Sequence, residues 1–377
     1  MVGRLAIAVF FVLLPAVAVG GALGVPLLIC VAGALSFHPS PPRQSFERSL
    51  WTTLPLAGFL TLAIASSAWS EHAAWPQALK IAMIAPLSRV FATATAKDPR
   101  LTRAGVIAAF AVLAALLGIE AFYGLPLNRA AQPETDVNEL SRNVSRGASL
   151  LLALTWGAAG ALLSRPGAHW KGATLSVLIA GGFISLQFGQ FANTVGFALG
   201  MAAFAIAYVA PRFALTATIA VLIFWLVAAP FVTPVLASAL EAHGLPYSWN
   251  ARLEIWTYII EHIWERPWFG HGLDAARAHI PAVPVHPHSA SLQIWFELGV
   301  VGVLLSTALL VSGGRELVHR FADNRPAAAA AAGTLAAIGV VANVSFNLWA
   351  EWWLATFFIA GGIVGALGRV VVQSRNT

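Results

Sequence analysis

Two histidines, His286 and His288, stand in the stretch His286-Pro287-His288-Ser289-Ala290-Ser291-Leu292-Gln293, where a polar segment runs into an apolar one. Histidine is the side chain best suited to moving a proton near neutral pH. A ring at the start of a helix and beside arginines is kept neutral, so His288 can serve as a base; the plainer reading is a hydrogen-bonded histidine at an interface. His-x-His in an extended segment also puts both rings on one side, as a metal site would, but no third and fourth ligand follow at a fixed spacing. Three arginines stand upstream: Arg252, and the pair Arg142 and Arg146 in Arg142-Asn143-Val144-Ser145-Arg146-Gly147-Ala148. Guanidinium forks suit phosphates and carboxylates. A proton acceptor and several anion binders are therefore the chemistry on offer.

The elements that position them are set by composition. Of 377 residues, 58% are hydrophobic and only 10% are charged, against roughly 25% charged in soluble domains. With a mean hydropathy of +0.76, this is an all-α polytopic membrane chain. The apolar runs are continuous rather than alternating, which excludes a β-barrel. A single cysteine, Cys30, excludes an intrachain disulfide and a cysteine-rich metal site. No internal repeat is evident, which disfavours an inverted-repeat transporter.

Hydropathy predicts about twelve transmembrane helices: Leu5–Gly20, Gly21–Phe37, Trp51–Trp69, Gln77–Thr95, Ala104–Tyr123, Arg146–Leu163, Ala173–Phe188, Phe191–Ala210, Leu215–Ala237, Ala290–Val311, Ala327–Phe346 and Trp352–Leu367. The first resembles a signal peptide, but a second run follows at once and it reads as an uncleaved span. This divides the chain into nine spans over 1–237, a large outer loop over 238–289 and three spans over 290–377. With both termini cytoplasmic, fourteen of the 22 basic residues, among them Arg4, Arg43, Arg48, Arg315, Arg369 and Arg375, fall on the inner side. Orientation and lipid contact explain those, which removes most of the case for nucleic acid. Arg129, Arg142, Arg146, Arg252, Arg266 and Arg277 fall outside, against the insertion bias. Lys80 and Arg89 lie within a span and read as structural.

Within the large loop, Asn250–Arg266 reads as an amphipathic helix. Arg252, Trp256, Ile259, Ile260 and Ile263 share its apolar face, and Glu254, Tyr258, Glu261 and Glu265 share the other. Arg252 is then the one charge on the inward stripe, calling for an anionic partner: a carboxylate, a lipid phosphate or a ligand. Pro267 and the paired glycines of Pro267-Trp268-Phe269-Gly270-His271-Gly272 end the helix. Leu273–Ile280 predicts a short helix, and Pro281, Pro284 and Pro287 an extended approach to the next span, with Ser289 as its N-cap. On the other side, Arg146 is expected to open a helix with Arg142 one turn earlier, placing guanidinium groups at a helix N-terminus, either as an anion site or as headgroup anchors. Glu297 lies about two and a half turns beyond His288, too far for direct contact.

In order, Arg252-Leu-Glu-Ile-Trp256, Pro267-Trp-Phe-Gly270-His-Gly272, His286-Pro-His288-Ser-Ala-Ser-Leu292-Gln293 and Glu297-Leu-Gly299-Val-Val-Gly302 resemble the signature of the O-antigen ligase/polymerase superfamily. Ser289 replaces the more usual Asn. The Arg142/Arg146 pair and the run Leu348-Trp349-Ala350-Glu351-Trp352-Trp353 are similar to the O-antigen ligase branch. The resemblance implies a fold like the metal-independent membrane glycosyltransferases of the GT-C type. It implies an inverting enzyme without cofactor or metal in the bacterial inner membrane, its active site on the periplasmic side. Such an enzyme moves O-polysaccharide from undecaprenyl diphosphate to a lipid A–core sugar hydroxyl during lipopolysaccharide synthesis. Carried onto this chain, His288 is the catalytic base, Arg252, Arg146 and Arg142 bind the donor diphosphate, and His286, Gln293 and Trp256 support them. An O-antigen polymerase with the same donor is the nearest alternative. A lipid-linked sugar transporter is a third, disfavoured because the ionisable groups cluster outside the spans.

Overall fold

A computed structural model describes residues 1–37, 46–241, 247–279 and 286–374. Among these residues there is no strand, and the helices in chain order are α1 Val2–Val19, α2 Val25–Ser36, α3 Phe46–Ala65, α4 Trp75–Lys97 and α5 Pro99–Tyr123. They continue with α6 Pro126–Ala131, α7 Val137–Leu163, α8 Ala168–Ser185, α9 Phe191–Val209 and α10 Pro211–Glu241. The last five are α11 Tyr247–His262, α12 Ala276–His279, α13 Ala290–Phe321, α14 Arg325–Val344 and α15 Glu351–Ser374. Arg43, Pro281, Pro284 and Arg375 lie outside the described residues, as do the side chains of Arg48 and Arg369.

Each of the twelve apolar runs falls on a helix. Among the described residues, nine helices are long and apolar enough to cross a membrane: α1, α4, α5, α7, α9, α10, α13, α14 and α15. The Thr52–Ala68 segment and α2 are apolar but shorter. The 12 residues of α2 rise about 18 Å, well short of a hydrocarbon core of about 30 Å. Val12, Met83, Val112, Phe224 and Leu304 are exposed on the spanning helices, an arrangement suited to lipid and costly in water.

Helix α7 is the centre of the bundle. From Gly147 to Leu162 every one of its residues is buried, and all but Ser149 and Thr155 are apolar, as suits a helix packed on every side. Small residues let the neighbours close in: a Cβ on Gly157 would come within 2.4 Å of Ile363, and one on Gly160 within 2.7 Å of Ala330. Its apolar residues from Leu140 to Leu162, Trp156 among them, share one core with residues of α1, α5, α9, α14 and α15.

Two of the boundaries that differ from expectation bear on the site. Helix α7 begins at Val137, with Asp136 accepting a hydrogen bond from the Asn138 amide at 2.8 Å. Arg146 therefore does not open a helix, and its amide is not a free N-terminal donor. Hydropathy registers where a helix enters hydrocarbon, whereas this helix starts more than two turns earlier in its polar segment. The span expected over Ala290–Val311 is instead α13, which runs on to Phe321 and is broken at Gly299 (φ 62°, ψ −162°).

Candidate active site

The break at Gly299 receives the loop that follows α11. Val300 and Val301 amides donate to the carbonyls of Pro267 (2.8 Å) and Trp268 (3.1 Å), while His271 and Gly272 amides donate to those of Phe296 (2.8 Å) and Glu297 (2.9 Å). Backbone groups released by the broken helix are thus satisfied by the loop, as burial demands. Two glycines make the approach possible. A Cβ on Gly270 would lie 2.3 Å from the Glu297 carbonyl carbon, and one on Gly299 would lie 2.5 Å from that of Trp268. Both glycines hold positive φ, 66° and 62°, where other residues are strained. The Pro-x-x-Gly-x-Gly and Glu-x-Gly motifs are the two halves of one contact.

Beneath this contact lies a buried polar network. Glu297 and Gln293 are both fully enclosed. Gln293 donates through Nε2 to Glu297 Oε1 (3.1 Å) and Asn347 Oδ1 (2.9 Å), and its Oε1 accepts from the Leu348 amide (3.0 Å). Glu297 Oε2 accepts from the Asp274 amide (3.0 Å) and from Trp349 Nε1. Asn347 Nδ2 donates to Asp274 Oδ1 (3.2 Å), and Arg277 Nε reaches Asp274 Oδ2 at 2.8 Å. Three segments, 270–277, 293–297 and 347–349, are tied together through Asp274, Gln293, Glu297 and Asn347, each with hydrogen-bond partners in the network, the condition under which such a network rigidifies rather than destabilises. Glu297 serves this network; its hydrogen bonds go to Gln293, Asp274 and Trp349.

The histidines sit at the head of α13. Ser289 caps it, its side chain accepting from the Leu292 amide at 3.4 Å. His288 itself is left-handed, with φ 55°. Its Nδ1 lies 2.5 Å from the carbonyl oxygen of Ser345, at the end of α14. A carbonyl only accepts, so Nδ1 carries the proton and the lone pair of the neutral ring is on Nε2. His286 takes the opposite form: its Nδ1 accepts from the His288 amide at 3.2 Å. Burial, opposed by the Ser345 bond and reinforced by Arg252, lowers the His288 pKa from its ordinary value. His286 is lowered well below it, by burial and then by His288, Arg277 and Arg252. Both shifts favour the neutral ring at neutral pH.

Helix α11 supplies two further residues. Trp256, Ile259 and Ile263 are buried and Glu254, Glu261 and Glu265 are exposed, as expected. Leu253 joins the buried face, and Tyr258, expected on the polar one, is half-buried against the core. The α-helix ends at His262, and Ile263–Glu265 continue as a 3-10 turn before Pro267. Trp256 Nε1 donates to the Pro287 carbonyl at 2.7 Å and so fixes the backbone between the two histidines. Arg252 is half-buried with its guanidinium 5.4 Å from the centre of the Trp249 ring. Trp249 in turn meets Phe191 edge-on at 5.7 Å.

The other arginines approach from α7. Arg146 Nη1 donates to Asn143 Oδ1 at 2.9 Å, and Arg142 is exposed. Ser145, between them, accepts from Gln190 Nε2 at 3.0 Å, and Gln190 Oε1 accepts from Ser345 Oγ at 3.5 Å. A continuous path therefore runs from Ser145, beside Arg146, through Gln190 to Ser345, the residue holding His288. Gln190 also precedes Phe191, which touches Trp249 beside Arg252. Arg252 lies close enough to His288 to act on its charge, while Arg146, on which the charge of Arg142 acts, joins this path as the chain neighbour of Ser145.

Sequence reasoning missed Gln190, Asp274, Ser345 and Asn347. Ser345 acts through its backbone, which no side-chain pattern reveals. Asn343, Ser345 and Asn347 did leave a signal: three polar residues at alternate positions closing an alanine-rich helix. Asn343 Oδ1 accepts from the Ser291 amide at 3.0 Å. Lys80 pairs with Glu351 at 2.7 Å, and Arg89 reaches Thr53 at 3.3 Å.

Comparison with known proteins bears on the same stretch. Residues 190–306 match the family model described as O-Antigen ligase, and this segment contains Gln190, Arg252, both histidines and the Gly299 break. Curated relatives named "Putative polysaccharide ligase" align over much of the chain. The Rickettsia conorii protein is 25% identical over 235 residues, covering 56% of this chain and 55% of the relative. That of Rickettsia prowazekii is 24% identical over 232 residues, with the same coverage. The Rickettsia bellii protein is 25% identical over 189 residues, covering 44% of this chain and 45% of its own. The chain thus spans about half the length of the curated relatives it matches. The resemblance to the O-antigen ligase family, first visible in the motifs, holds across this central segment.

Proposed function

We propose that this chain is an inverting glycosyltransferase of the O-antigen ligase type. It transfers a polysaccharide from undecaprenyl diphosphate to a sugar hydroxyl of lipid A–core at the periplasmic face of a bacterial inner membrane. The observation that carries this reading is the tautomer of His288: Nδ1–H is engaged by the Ser345 carbonyl, which leaves Nε2 as the proton acceptor. The O-Antigen ligase match over residues 190–306 supports it.

The acceptor hydroxyl gives its proton to His288 Nε2 as its oxygen attacks the anomeric carbon from the face opposite the diphosphate. The anomeric carbon–oxygen bond breaks, and undecaprenyl diphosphate leaves with the electron pair. One displacement inverts the anomeric centre, and protonated His288 returns its proton to water. Arg252, Arg146 and Arg142 bind the diphosphate and stabilise the charge that grows on it, a task that would be costly at membrane depth without paired cations. The chain contains no Asp-x-Asp, so arginines take the place of a metal clamp on the diphosphate. Trp256 and His286 hold the backbone that carries His288, and Gln293 anchors α13 to the turn at Asn347.

The test is transfer by purified protein from lipid-linked donor to lipid A–core. Loss of transfer in His288→Ala at wild-type abundance is expected; near-normal transfer would overturn the general-base role.

A further inference from the structure

Outside the proposed site, Glu71, His271 and His279 converge from three separate segments, their candidate ligand atoms all within 4.8 Å of one another. His271 is only 1% exposed, and its Nδ1 has no hydrogen-bond partner. Its other nitrogen, Nε2, lies 3.0 Å from the carbonyl of His262, so Nε2 carries the proton and Nδ1 presents a lone pair. A buried imidazole with an unused lone pair is expensive unless something fills it. The ring is held in place, stacked on Phe296 with centroids 4.3 Å apart, and His279 meets it edge-on at 4.7 Å. His279 Nε2 stands 2.9 Å from Glu71 Oε2, yet without the alignment of a hydrogen bond.

We propose that Glu71, His271 and His279 form a binding site for one divalent transition-metal ion. Two imidazoles and a carboxylate are a ligand set suited to zinc, with a fourth position left for water. Metal–ligand bonds of about 2.0–2.2 Å place two ligand atoms roughly 3.4 Å apart in a tetrahedral site. Separations of up to 4.8 Å must close by at most about 1.4 Å, and the His279–Glu71 pair, now 2.9 Å apart, must open by about half an ångström. The Glu71 side chain is half exposed and free to make its part of that adjustment. The outer contacts fit as well. A ligating histidine ordinarily donates its second N–H to a carbonyl, as His271 does to His262, and ligating carboxylates are themselves hydrogen-bonded; Arg266 Nη2 lies 3.3 Å from Glu71 Oε1.

An ion here fastens three pieces: the turn before α4, the glycine loop seated in the α13 break, and α12. It is structural, and it stands independently of any transfer chemistry at His288. The probe is zinc alone, added to tag-free full-length protein stripped with chelator in detergent. Wild type retains one equivalent after desalting, and its thermal unfolding midpoint, followed by tryptophan fluorescence, rises with zinc. Glu71→Gln and His279→Gln each weaken zinc binding at least about tenfold while unfolding like the stripped wild type. Should His279→Gln fail to fold, Glu71→Gln carries the comparison, its side chain being half exposed. Wild type that holds no zinc, or variants that hold as much as wild type, overturns the proposal. So does zinc that is lost in His286→Ala and kept in Glu71→Gln, since the ion would then belong to the His286–His288 pair.

Discussion

His288 Nδ1 and the Ser345 carbonyl oxygen lie 2.5 Å apart. This bond joins the loop before α13 to the end of α14, and it decides which ring nitrogen can accept a proton. Replacing His288 with alanine removes the acceptor, and turnover should fall by about 10²–10⁴-fold, the usual contribution of a general base. The variant also leaves the Ser345 carbonyl without this partner, so its unfolding midpoint should fall by the equivalent of about 1–3 kcal/mol, and turnover is compared at equal amounts of folded protein.

The pH dependence follows from the direction of the His288 shift. The base must be neutral, and burial together with Arg252 lowers its pKa. Transfer should therefore be level at neutral pH and decline only on acidification below the ordinary histidine range. In Arg252→Gln one of the lowering influences is gone, so the acid limb of kcat/KM moves to higher pH. An acid limb in the same place in both proteins would mean that the titrating group is not His288.

Arg252→Lys keeps the charge and loses the fork. If Arg252 holds a diphosphate oxygen pair, one charged hydrogen bond is lost, about 1.5–3 kcal/mol, or roughly 10–150-fold in kcat/KM. An initial-rate comparison against donor concentration checks this. A variant indistinguishable from wild type would reduce Arg252 to a generic positive charge.

Trp256→Phe preserves the apolar filling and removes the N–H that reaches the Pro287 carbonyl at 2.7 Å. An unpaired carbonyl there costs about 1–3 kcal/mol, and the segment between the histidines loosens. The expected signature is a fall in kcat with little change in KM, since misplaced catalytic geometry and not donor affinity is what suffers.

Gly270→Ala should destabilise by at least about 1–3 kcal/mol, the range for overpacking, because its Cβ would lie 2.3 Å from backbone of Glu297. Gly118→Ala is the control of opposite sign. Nothing lies within 4 Å of a Cβ there, and alanine in a helix gains up to about 1 kcal/mol over glycine. Thermal unfolding in detergent reads both.

Much of this was legible beforehand because it is local. Apolar runs gave the helices, the spacing of Trp256, Ile259 and Ile263 gave the buried face of α11, and Ser289 before an apolar run gave the cap. What hydropathy could not show was the start of α7 at Val137, since polar turns outside hydrocarbon look like loop. The break at Gly299 was hidden for the complementary reason: an apolar run reads as unbroken even where one glycine adopts a φ of 62°. Ser345, Asn347 and Asp274 were invisible as a group because tertiary packing alone brings them to His288, Gln293 and Glu297.

The most direct test of the central claim is the lipopolysaccharide ladder of the native host after deletion of the gene and complementation. Deletion should leave bare lipid A–core. Wild type should restore the polymer ladder, and His288→Ala at equal abundance should not. A full ladder with His288→Ala would contradict the assignment of the base, and a deletion that leaves core bearing one repeat unit would mark the chain as a polymerase instead.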